Sequence, residues 1–331
     1  MIDRSEGSLS KTALDLVHLV DAFFRSSFST DNALISEAVR RMLAAGGKRL
    51  RPRLTLLAAE ANGADPRDHL PLAAYMELIH VGTLIHDDVV DRADTRRGVN
   101  ATAVDYGNRV SVLAGDYLFA WIFKNVTATY PHPVPHLLAS TLADITDGEV
   151  LQHRAVGDLG LSVAGYVEIA IKKTASLFAA AAECGALMSG ATPLRVKALR
   201  DFGLYYGIAF QMLDDLLDYS ATEAELGKPV GGDLSERKMT IPLVHALEGD
   251  SGELRGELAR FFADGNGDVA TVEHLVRSVG ARGGFVKSRD AVAAYVERAK
   301  MSLAPLGTAP ARAELNALAD VLARESTQRT R

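Results

Sequence analysis

The sequence predicts an all-α protein, and three observations favour this class. Of its 331 residues, 48% are hydrophobic and only 11 are proline, which allows long helices around a large core. Long Ala- and Leu-rich segments carry apolar residues at helical intervals. No segment alternates apolar and polar residues for long enough to indicate a strand. Since no linker marks a boundary either, we expect a single domain over residues 1–331, with residues 1–10 and 326–331 frayed.

The order of the elements follows from periodicity and from helix-ending residues. Asp31 or Asn32 can cap the second helix, Gly46-Gly47 ends it, and Pro52 suits the first turn of the third. Pro242 opens a later helix, and shorter helices separated by glycine- and proline-containing loops follow to about residue 325. The predicted long helices cover about residues 11–28, 32–45, 52–61, 70–91, 110–128, 137–154, 166–189 and 194–219.

Charge and cysteine content exclude several classes of function. The formal net charge is −6, and no basic stripe with interleaved aromatic residues is present, which argues against a nucleic-acid partner. Cys184 is the only cysteine, so no intrachain disulfide can form, as is typical of a reducing compartment. No secretory h-region and no run of about 18 uncharged apolar residues is visible. We therefore expect a cytoplasmic protein without a transmembrane segment.

The stretch from Glu77 to Gly98 is apolar at first and then acidic. At about 100° per residue, one helix face collects four side chains, with Asp88 beside them: His80, Thr83, Asp87 and Asp91. Three carboxylates this close repel one another in a partly buried cleft, so a cation is expected there. Hard oxygen ligands at this spacing suit Mg²⁺, which usually also binds a phosphate.

The D-D-x-x-D spacing occurs again at Asp214, Asp215 and Asp218. One copy alone is also compatible with a solvated helix face. Two copies, each embedded in an apolar helix, favour two acidic triads that face each other across a cavity. Such triads would bind a diphosphate through bridging metal ions.

Seven segments together resemble the trans-isoprenyl diphosphate synthases. They occur in family order from Gly46 to Pro242, about 60% of the chain. These segments are G-G-K-R-L-R-P, E-L-I-H-x5-H-D-D-V-V-D, R-R-G, G-E-V-L-Q, K-T-A, F-Q-M-L-D-D-L-L-D and G-K-P-V-G-G-D-x4-K. The resemblance implies the isoprenoid synthase fold, in which long, mostly antiparallel helices surround a deep central cavity. It also implies a homodimer.

The resemblance further implies the reaction. Mg²⁺, about three ions per site in the family with Mn²⁺ as a substitute, helps an allylic diphosphate to ionise. The double bond of isopentenyl diphosphate attacks the resulting carbocation, and a proton is lost to the departing pyrophosphate. The protein supplies no nucleophile, because stabilising the separated charge is sufficient. Product release implies contact with a membrane surface.

Family roles transfer residue by residue. The metal ligands would be Asp87, Asp88, Asp91, Asp214 and Asp215, with Asp218 either a direct ligand or a supporting residue. The allylic diphosphate would bind Lys173, Lys228, Lys238 and Arg96. Gln211 and Thr174 would lie near the developing cation. Isopentenyl diphosphate would contact Lys48, Arg51, His80, Arg97 and Phe210.

Product length depends on the residues before the first aspartate. Family positions four and five residues upstream form the floor of the product tunnel, and here they are Thr83 and Gly82, which are too small to block it. We therefore expect a medium- or long-chain product of about six or more isoprene units. A geranylgeranyl-type synthase is the alternative, because Phe119, Trp121 or Phe123 could raise the floor.

Three further interpretations remain open from the sequence. Glu149 and Gln152 are either polar lining of the cavity or surface residues. A class I terpene cyclase shares the first aspartate motif, but such enzymes typically replace the second triad. A non-catalytic subunit of a hetero-oligomeric synthase usually lacks one or both motifs, and this chain has both.

Overall fold

We analysed a computed structural model of the chain, which describes residues 11–44, 46–96, 98–220, 231–264 and 269–328. The fold is all-α, as predicted. The first half contains the helices α1 (Lys11–Ser27), α2 (Ala33–Ala44), α3 (Leu50–Glu60), α4 (Leu70–Val90), α5 (Thr102–Thr129) and α6 (Val134–Arg154). The second half contains α7 (Val163–Ala170), α8 (Ser176–Met188), α9 (Pro193–Ser220), α10 (Gly232–Ser235), α11 (Ile241–Leu247), α12 (Glu253–Asp264), α13 (Val269–Ala281), α14 (Gly284–Ser302) and α15 (Pro310–Gln328).

Side-chain caps fix where two of these helices begin. Asn32 Oδ1 accepts a hydrogen bond from the Ile35 backbone N–H at 3.3 Å, which selects Asn32 from the two predicted caps of α2. Ser162 Oγ accepts from the Gly165 N–H at 3.1 Å at the start of α7. Each cap satisfies one backbone donor that the first helical turn leaves without a partner.

Helix α8 is the centre of the molecule, because α3, α4, α6 and α9 all pack against it. Its side chains are buried on every side, with Phe178 fully buried, so α8 lacks the polar face of a surface helix. Complete burial of one large apolar side chain stabilises the fold by roughly 1.5–3 kcal/mol. A second apolar cluster, around Tyr219, Leu243 and Val279, joins the end of α9 to α11 and α13.

Two helix ends differ from the prediction, since α5 begins at Thr102 instead of near residue 110 and α15 continues to Gln328 instead of fraying from residue 326. The structure also differs from the predicted elements in two further places. The single helix predicted over residues 166–189 is two α-helices joined by a π-helical turn at Ile171–Ala175. Two short strands that the sequence did not indicate, β1 (Thr95–Arg96) and β2 (Val99–Asn100), form an antiparallel pair after α4. Both of these further differences lie next to predicted site residues.

No helix within the described ranges combines the length and apolar character needed to span a membrane.

Candidate active site

The first aspartate motif lies at the carboxyl end of α4, where its three carboxylates have different surroundings. Asp88 is fully buried, and its Oδ1 accepts hydrogen bonds from Arg96 Nε and Nη2, both at 2.7 Å. The β1–β2 pair supplies this arginine, because Arg96 is the second residue of β1. Asp91, at the end of the helix, is 39% exposed. In this structure Arg96 therefore holds Asp88 in place, while Asp91 faces solvent.

Asp87 is a half-buried carboxylate in a crowded acidic environment. Burial and the nearby charge of Glu149 raise its pKa to about 7, although Lys173 opposes this shift. The Lys173 ammonium lies 2.6 Å from Glu149 Oε1 and donates to Gln152 Oε1 at 2.6 Å. The cation beside the first motif is therefore held by two residues of α6.

Close backbone packing fixes this lysine. A Cβ on Gly148 would lie 2.4 Å from the Lys173 backbone nitrogen, so only glycine allows α6 to approach the chain this closely. Lys173 and Thr174 lie in the π-helical turn, a feature that is frequent at functional sites. The turn directs Lys173 to α6 and Thr174 to Gln211 of α9. The segments G-E-V-L-Q and K-T-A are thus two sides of one contact.

The second motif, on α9, combines one exposed and two buried aspartates. Asp214 is exposed, whereas Asp215 is only 5% exposed. Three neutral donors contact Asp215: Tyr166 Oη at 2.6 Å, Gln211 Nε2 at 2.8 Å and the Ile241 N–H at 3.4 Å. Burial raises the pKa of Asp215 to about 6, although these hydrogen bonds partly counteract the rise.

The segment after Gly231 joins the two motifs. Asp218 Oδ2 accepts a hydrogen bond from the Asp233 N–H at 2.9 Å, and the Asp233 carbonyl accepts one from the Lys238 N–H at 2.8 Å. The Lys238 ammonium then lies 3.6 Å from Asp91 Oδ2 and 2.6 Å from Glu236 Oε2. Burial lowers the pKa of Lys238, but these two carboxylates outweigh burial and raise it well above its usual value. Asp218 thus anchors the segment that directs Lys238 towards the first motif.

A cavity lies beside Asp215 of the second motif and extends along the turn that carries Lys173 and Thr174. Its polar wall consists of Gln152, Tyr166, Lys173, Thr174, Gln211, Asp215 and Thr240, and its apolar wall of Ala155, Ile169, Ala170 and Met239. Gln152 therefore lines the cavity, one of the two alternatives that the sequence left open. Glu149 contacts the lysine of the same wall.

A basic region lies around the start of α3. The Arg51 guanidinium lies 4.3 Å from the centroid of the Phe178 ring, which is 5.4 Å from the ring of Phe210. Lys48 is 68% exposed and 4.0 Å from Glu325 Oε2. His80 is half-buried on α4. Arg51 and Phe210 are therefore joined through one shared ring, while Lys48 extends towards α15.

Arg49 holds this region in place from inside the protein. Its side chain is 3% exposed, and its guanidinium contacts Asp21 Oδ1 at 3.0 Å and Glu77 Oε1 at 2.9 Å. It also donates to the Leu43 carbonyl at 2.9 Å. Arg49 adopts left-handed backbone angles (φ 48°, ψ 40°), which are uncommon for a residue other than glycine. The buried ion pairs therefore compensate a strained turn between Lys48 and Arg51.

The two predicted floor residues have different surroundings. Thr83 is half-buried, and its hydroxyl donates to the His80 carbonyl at 2.8 Å. A Cβ on Gly82 would lie 2.6 Å from the Phe119 ring, so Gly82 accommodates an aromatic side chain of α5. The same ring makes an edge contact with His86, at 5.6 Å between centroids. Gly82 thus faces α5 and away from the aspartates, as ideal helix geometry indicates.

Two predicted residues, Arg97 and Lys228, lie outside the described residues, and their roles remain predictions. Within the part of the chain that the structure describes, no three acidic, histidine or cysteine side chains converge on a single metal position.

Sequence reasoning missed Tyr166, Gly148, Phe178 and the anchoring role of Arg49. Of these, only Gly148 could have been found from the sequence. In the segment G-E-V-L-Q it precedes Glu149 and Gln152, two polar residues three positions apart on one helix face.

Comparisons with known proteins agree with this geometry. The polyprenyl synthetase family model matches residues 32–279. The octaprenyl diphosphate synthase of Escherichia coli is 37% identical over 94% of this chain and 95% of its own length. Nonaprenyl and geranylgeranyl diphosphate synthases also match.

Solved structures give the same result. A decaprenyl diphosphate synthase from Rhodobacter capsulatus superposes with a TM-score of 0.90 at 38% identity, covering 97% of this chain and 98% of that one. A polyprenyl synthase from Caulobacter crescentus, complexed with calcium and isoprenyl diphosphate, gives 0.87 at 37% identity, covering 97% and 99%. Because the family match spans more than half of the chain and these relatives align over nearly all of it, the chain belongs to the polyprenyl synthetase family of prenyl transferases, the trans-isoprenyl diphosphate synthases.

Proposed function

We propose that this enzyme adds isopentenyl diphosphate to an allylic diphosphate in a Mg²⁺-dependent reaction and releases a medium- or long-chain all-trans polyprenyl diphosphate. The observation that carries this proposal is the link between the two aspartate motifs. Lys238 joins Asp91 to the segment held by Asp218, and the Thr174–Gln211 pair joins the Lys173 turn to Asp215. Asp215, Lys173 and the polar side chains of Thr174 and Gln211 therefore line one cavity.

The carboxylates fit a hard divalent cation. Mg²⁺ keeps several waters and takes one or two protein carboxylates together with substrate phosphates, so three converging protein ligands are not required. Of the aspartates expected as ligands, we propose that Asp87, Asp91 and Asp214 bind the metal directly, since they retain exposed surface, whereas Asp88 and Asp215 are buried. Bound Mg²⁺ would neutralise the charge that develops on the diphosphate leaving group. Asp88, Asp215 and Asp218 would hold the framework through their buried hydrogen bonds.

The cations of the chain would stabilise the leaving group. Lys173 and Lys238 lie beside Asp87 and Asp91, where a metal-bound diphosphate would arrive, and each is held by a neighbouring glutamate. Positive groups fixed before the reaction lower the barrier, because no reorganisation is needed as charge develops. Lys228 remains a predicted third member, and Arg96 would add a fourth where it lies beside Asp88.

The second diphosphate would bind at the start of α3. Lys48 and Arg51 supply cations there, and the half-buried Phe210 ring, which packs on buried Phe178, forms the adjoining apolar surface. His80 and Arg97 stay predicted members of this pocket. An aromatic surface next to two cations suits isopentenyl diphosphate, which has a short apolar chain and a charged head.

The decisive experiment is a product assay with the purified single chain. Labelled isopentenyl diphosphate would be supplied with each allylic primer, with and without Mg²⁺, and the products sized by chromatography. Incorporation that stops in excess chelator is expected. If isopentenyl diphosphate were not consumed, the chain would be a cyclase or a non-catalytic subunit. Full turnover in excess chelator would contradict the role of metal.

The two substrate pockets should respond separately to mutation. Arg51→Ala is expected to raise the KM for isopentenyl diphosphate about ten- to a hundredfold, because a charge-assisted contact contributes roughly 1.5–3 kcal/mol. Lys173→Ala should instead impair use of the allylic diphosphate. Steady-state kinetics with each substrate varied in turn measures both effects.

Each variant has a matched control in the chain. Lys172 neighbours Lys173 but pairs with Asp147 outside the cavity at 3.0 Å, so Lys172→Ala should leave both KM values within twofold. The Arg298 guanidinium lies 4.3 Å from the Tyr205 ring centroid, the same distance as between Arg51 and Phe178, which makes Arg298→Ala the control for a lost contact with a ring. Equal impairment of one substrate by Arg51→Ala and Lys173→Ala would refute the pocket assignment.

Product length should depend on Thr83. This small residue lies one turn below Asp87, so Thr83→Phe is expected to fill the space under the first motif and shorten the main product. Isopentenyl diphosphate would still be consumed, since no group at the metal site changes. Chromatography of dephosphorylated products gives the chain length. An unchanged distribution, or a wild-type product of fifteen carbons, would contradict this floor.

We further propose that the enzyme is a homodimer. On α5, Val112 and Leu113 are 40% and 53% exposed, and Val150 on neighbouring α6 is 55% exposed. Exposed aliphatic side chains on two helices that pack together suit a surface that a second protein copy covers. Light scattering of the purified chain would measure the mass directly. Cytoplasmic location and contact of the product with a membrane surface stay predictions.

A further inference from the structure

Four polar side chains on three elements of the cavity wall form one continuous hydrogen-bonded chain. Tyr166 of α7 and Gln211 of α9 contact opposite oxygens of Asp215, at 2.6 Å and 2.8 Å. Gln211 Oε1 in turn contacts the Thr174 hydroxyl at 2.6 Å. Asp215, Tyr166 and Thr174 are 5%, 4% and 7% exposed, so little water competes with these bonds.

Each hydrogen bond in this chain has a defined direction. The Gln211 NH₂ group donates to Asp215 Oδ1 at 2.8 Å. The Gln211 carbonyl oxygen then faces Thr174 and can only accept from it. The Thr174 hydroxyl hydrogen is therefore used within the chain, and the lone pairs of Thr174 Oγ1 are left for the cavity.

Tyr166 ends the chain on the opposite side. The Tyr166 hydroxyl donates to Asp215 Oδ2 at 2.6 Å. Tyr166 thereby occupies Asp215 Oδ2 and holds the carboxylate plane in one orientation. The other oxygen is left for Gln211.

We propose that Tyr166 is a positioning residue which, through Asp215 and Gln211, makes Thr174 present lone pairs to the allylic carbon that becomes cationic. This inference rests on the proposed function. A hydroxyl turned the other way would direct a partial positive charge at the same carbon and raise the barrier. Oriented dipoles in a water-poor site are worth more than the same groups in water.

Removing only the tyrosine hydroxyl tests the proposal. Tyr166→Phe should lower kcat about tenfold and leave both KM values within twofold, since a contact that differs between ground and transition state changes kcat. Thr174→Val should lower kcat similarly, whereas Thr174→Ser, which keeps the oxygen, should retain most activity. Tyr206→Phe is the control, because Tyr206 is an equally buried tyrosine of α9 that does not contact Asp215.

A double-mutant cycle separates positioning from general support. If Tyr166 acts through Thr174, adding Tyr166→Phe to Thr174→Val should slow the enzyme by less than twofold. Additive losses would overturn the proposal. If Tyr166→Phe fails to fold, Asp215→Asn takes its place in the cycle. An asparagine amide can present either its NH₂ group or its oxygen to Gln211, so the fixed direction of the hydrogen bonds is lost.

Binding gives a readout without turnover. A primer analogue with a protonated amine at the reacting carbon would be titrated calorimetrically with pyrophosphate and Mg²⁺, alongside an uncharged isostere. Tyr166→Phe should weaken only the ammonium analogue, about tenfold; equal weakening of both would refute the proposal. A wild-type chain that never consumes isopentenyl diphosphate would overturn the proposed function itself, whereas additive mutants in an active enzyme would overturn only the role of Tyr166.

Discussion

Asp87→Ala is expected to lower kcat about 10²- to 10³-fold, the cost of removing one fixed group that stabilises developing charge. Asp87 is the member of the first motif that faces both Glu149 and Lys173, so its loss also removes a negative neighbour of that lysine. Steady-state assays at saturating substrate and graded Mg²⁺ measure the effect. Asp144→Ala is the control, because this aspartate is 52% exposed and pairs only weakly with Lys172, at 3.8 Å. A loss below tenfold at saturating Mg²⁺ would contradict a metal-binding role.

The pH profile provides a second test of the same carboxylate. Burial and Glu149 raise the pKa of Asp87 to about 7, so the group takes up a proton as pH falls through 7. Mg²⁺ needs the ionised form, and metal affinity should therefore decline on the acid side of neutrality. Raising Mg²⁺ should move the acid limb to lower pH. Glu149→Gln should move it in the same direction, because one repelling charge is removed.

Glu77→Ala is expected to lower the free energy of unfolding by about 3–5 kcal/mol, the usual cost of breaking a buried ion pair from one side. The Arg49 guanidinium would keep Asp21 and the Leu43 carbonyl but would lose its closest carboxylate, 2.9 Å away. Urea unfolding followed by circular dichroism measures the change. The KM for isopentenyl diphosphate should also rise, because the turn between Lys48 and Arg51 loses its support.

An exposed ion pair in the same chain is the control. Arg277 and Glu273, 3.6 Å apart on α13, are 69% and 61% exposed, so Glu273→Ala should cost less than about 1 kcal/mol. Equal losses of unfolding free energy for Glu77→Ala and Glu273→Ala would show that the contacts of Arg49 with Asp21 and Glu77 do not anchor the turn.

The fold was largely predictable, because it depends on patterns that a single chain carries. The first aspartate helix was expected over residues 70–91 and is Leu70–Val90, since its apolar repeat is long and a proline follows its first residue. The strands at Thr95–Arg96 and Val99–Asn100 escaped prediction, because two residues are too few to show alternation. The π-helical turn escaped as well, since its apolar spacing reads as ordinary helix.

The residues of the site were predictable from the sequence, but their separate roles were not. The D-D-x-x-D spacing identified all six aspartates, yet nothing local distinguishes Asp214 from Asp215. Their difference arises from Tyr166, 49 residues earlier, which reaches only one of them. Phe119 similarly meets Gly82 from a separate helix. The burial of a side chain and its hydrogen-bond partners depend on tertiary packing. Residue spacing within one segment therefore cannot predict them.

The wide turn at Ile171–Ala175 places a length constraint on the gene. Its i→i+5 hydrogen bonds enclose one residue more than an α-helical turn does. Deleting any one codon within it would allow an unbroken α-helix, the more common backbone geometry. The deletion would also rotate the following helix by about 100° relative to the preceding one, so Lys173 and Thr174 could not both keep their partners. A substitution in this segment can therefore change the site by a small step, whereas a one-residue deletion separates Lys173 or Thr174 from its partner at once.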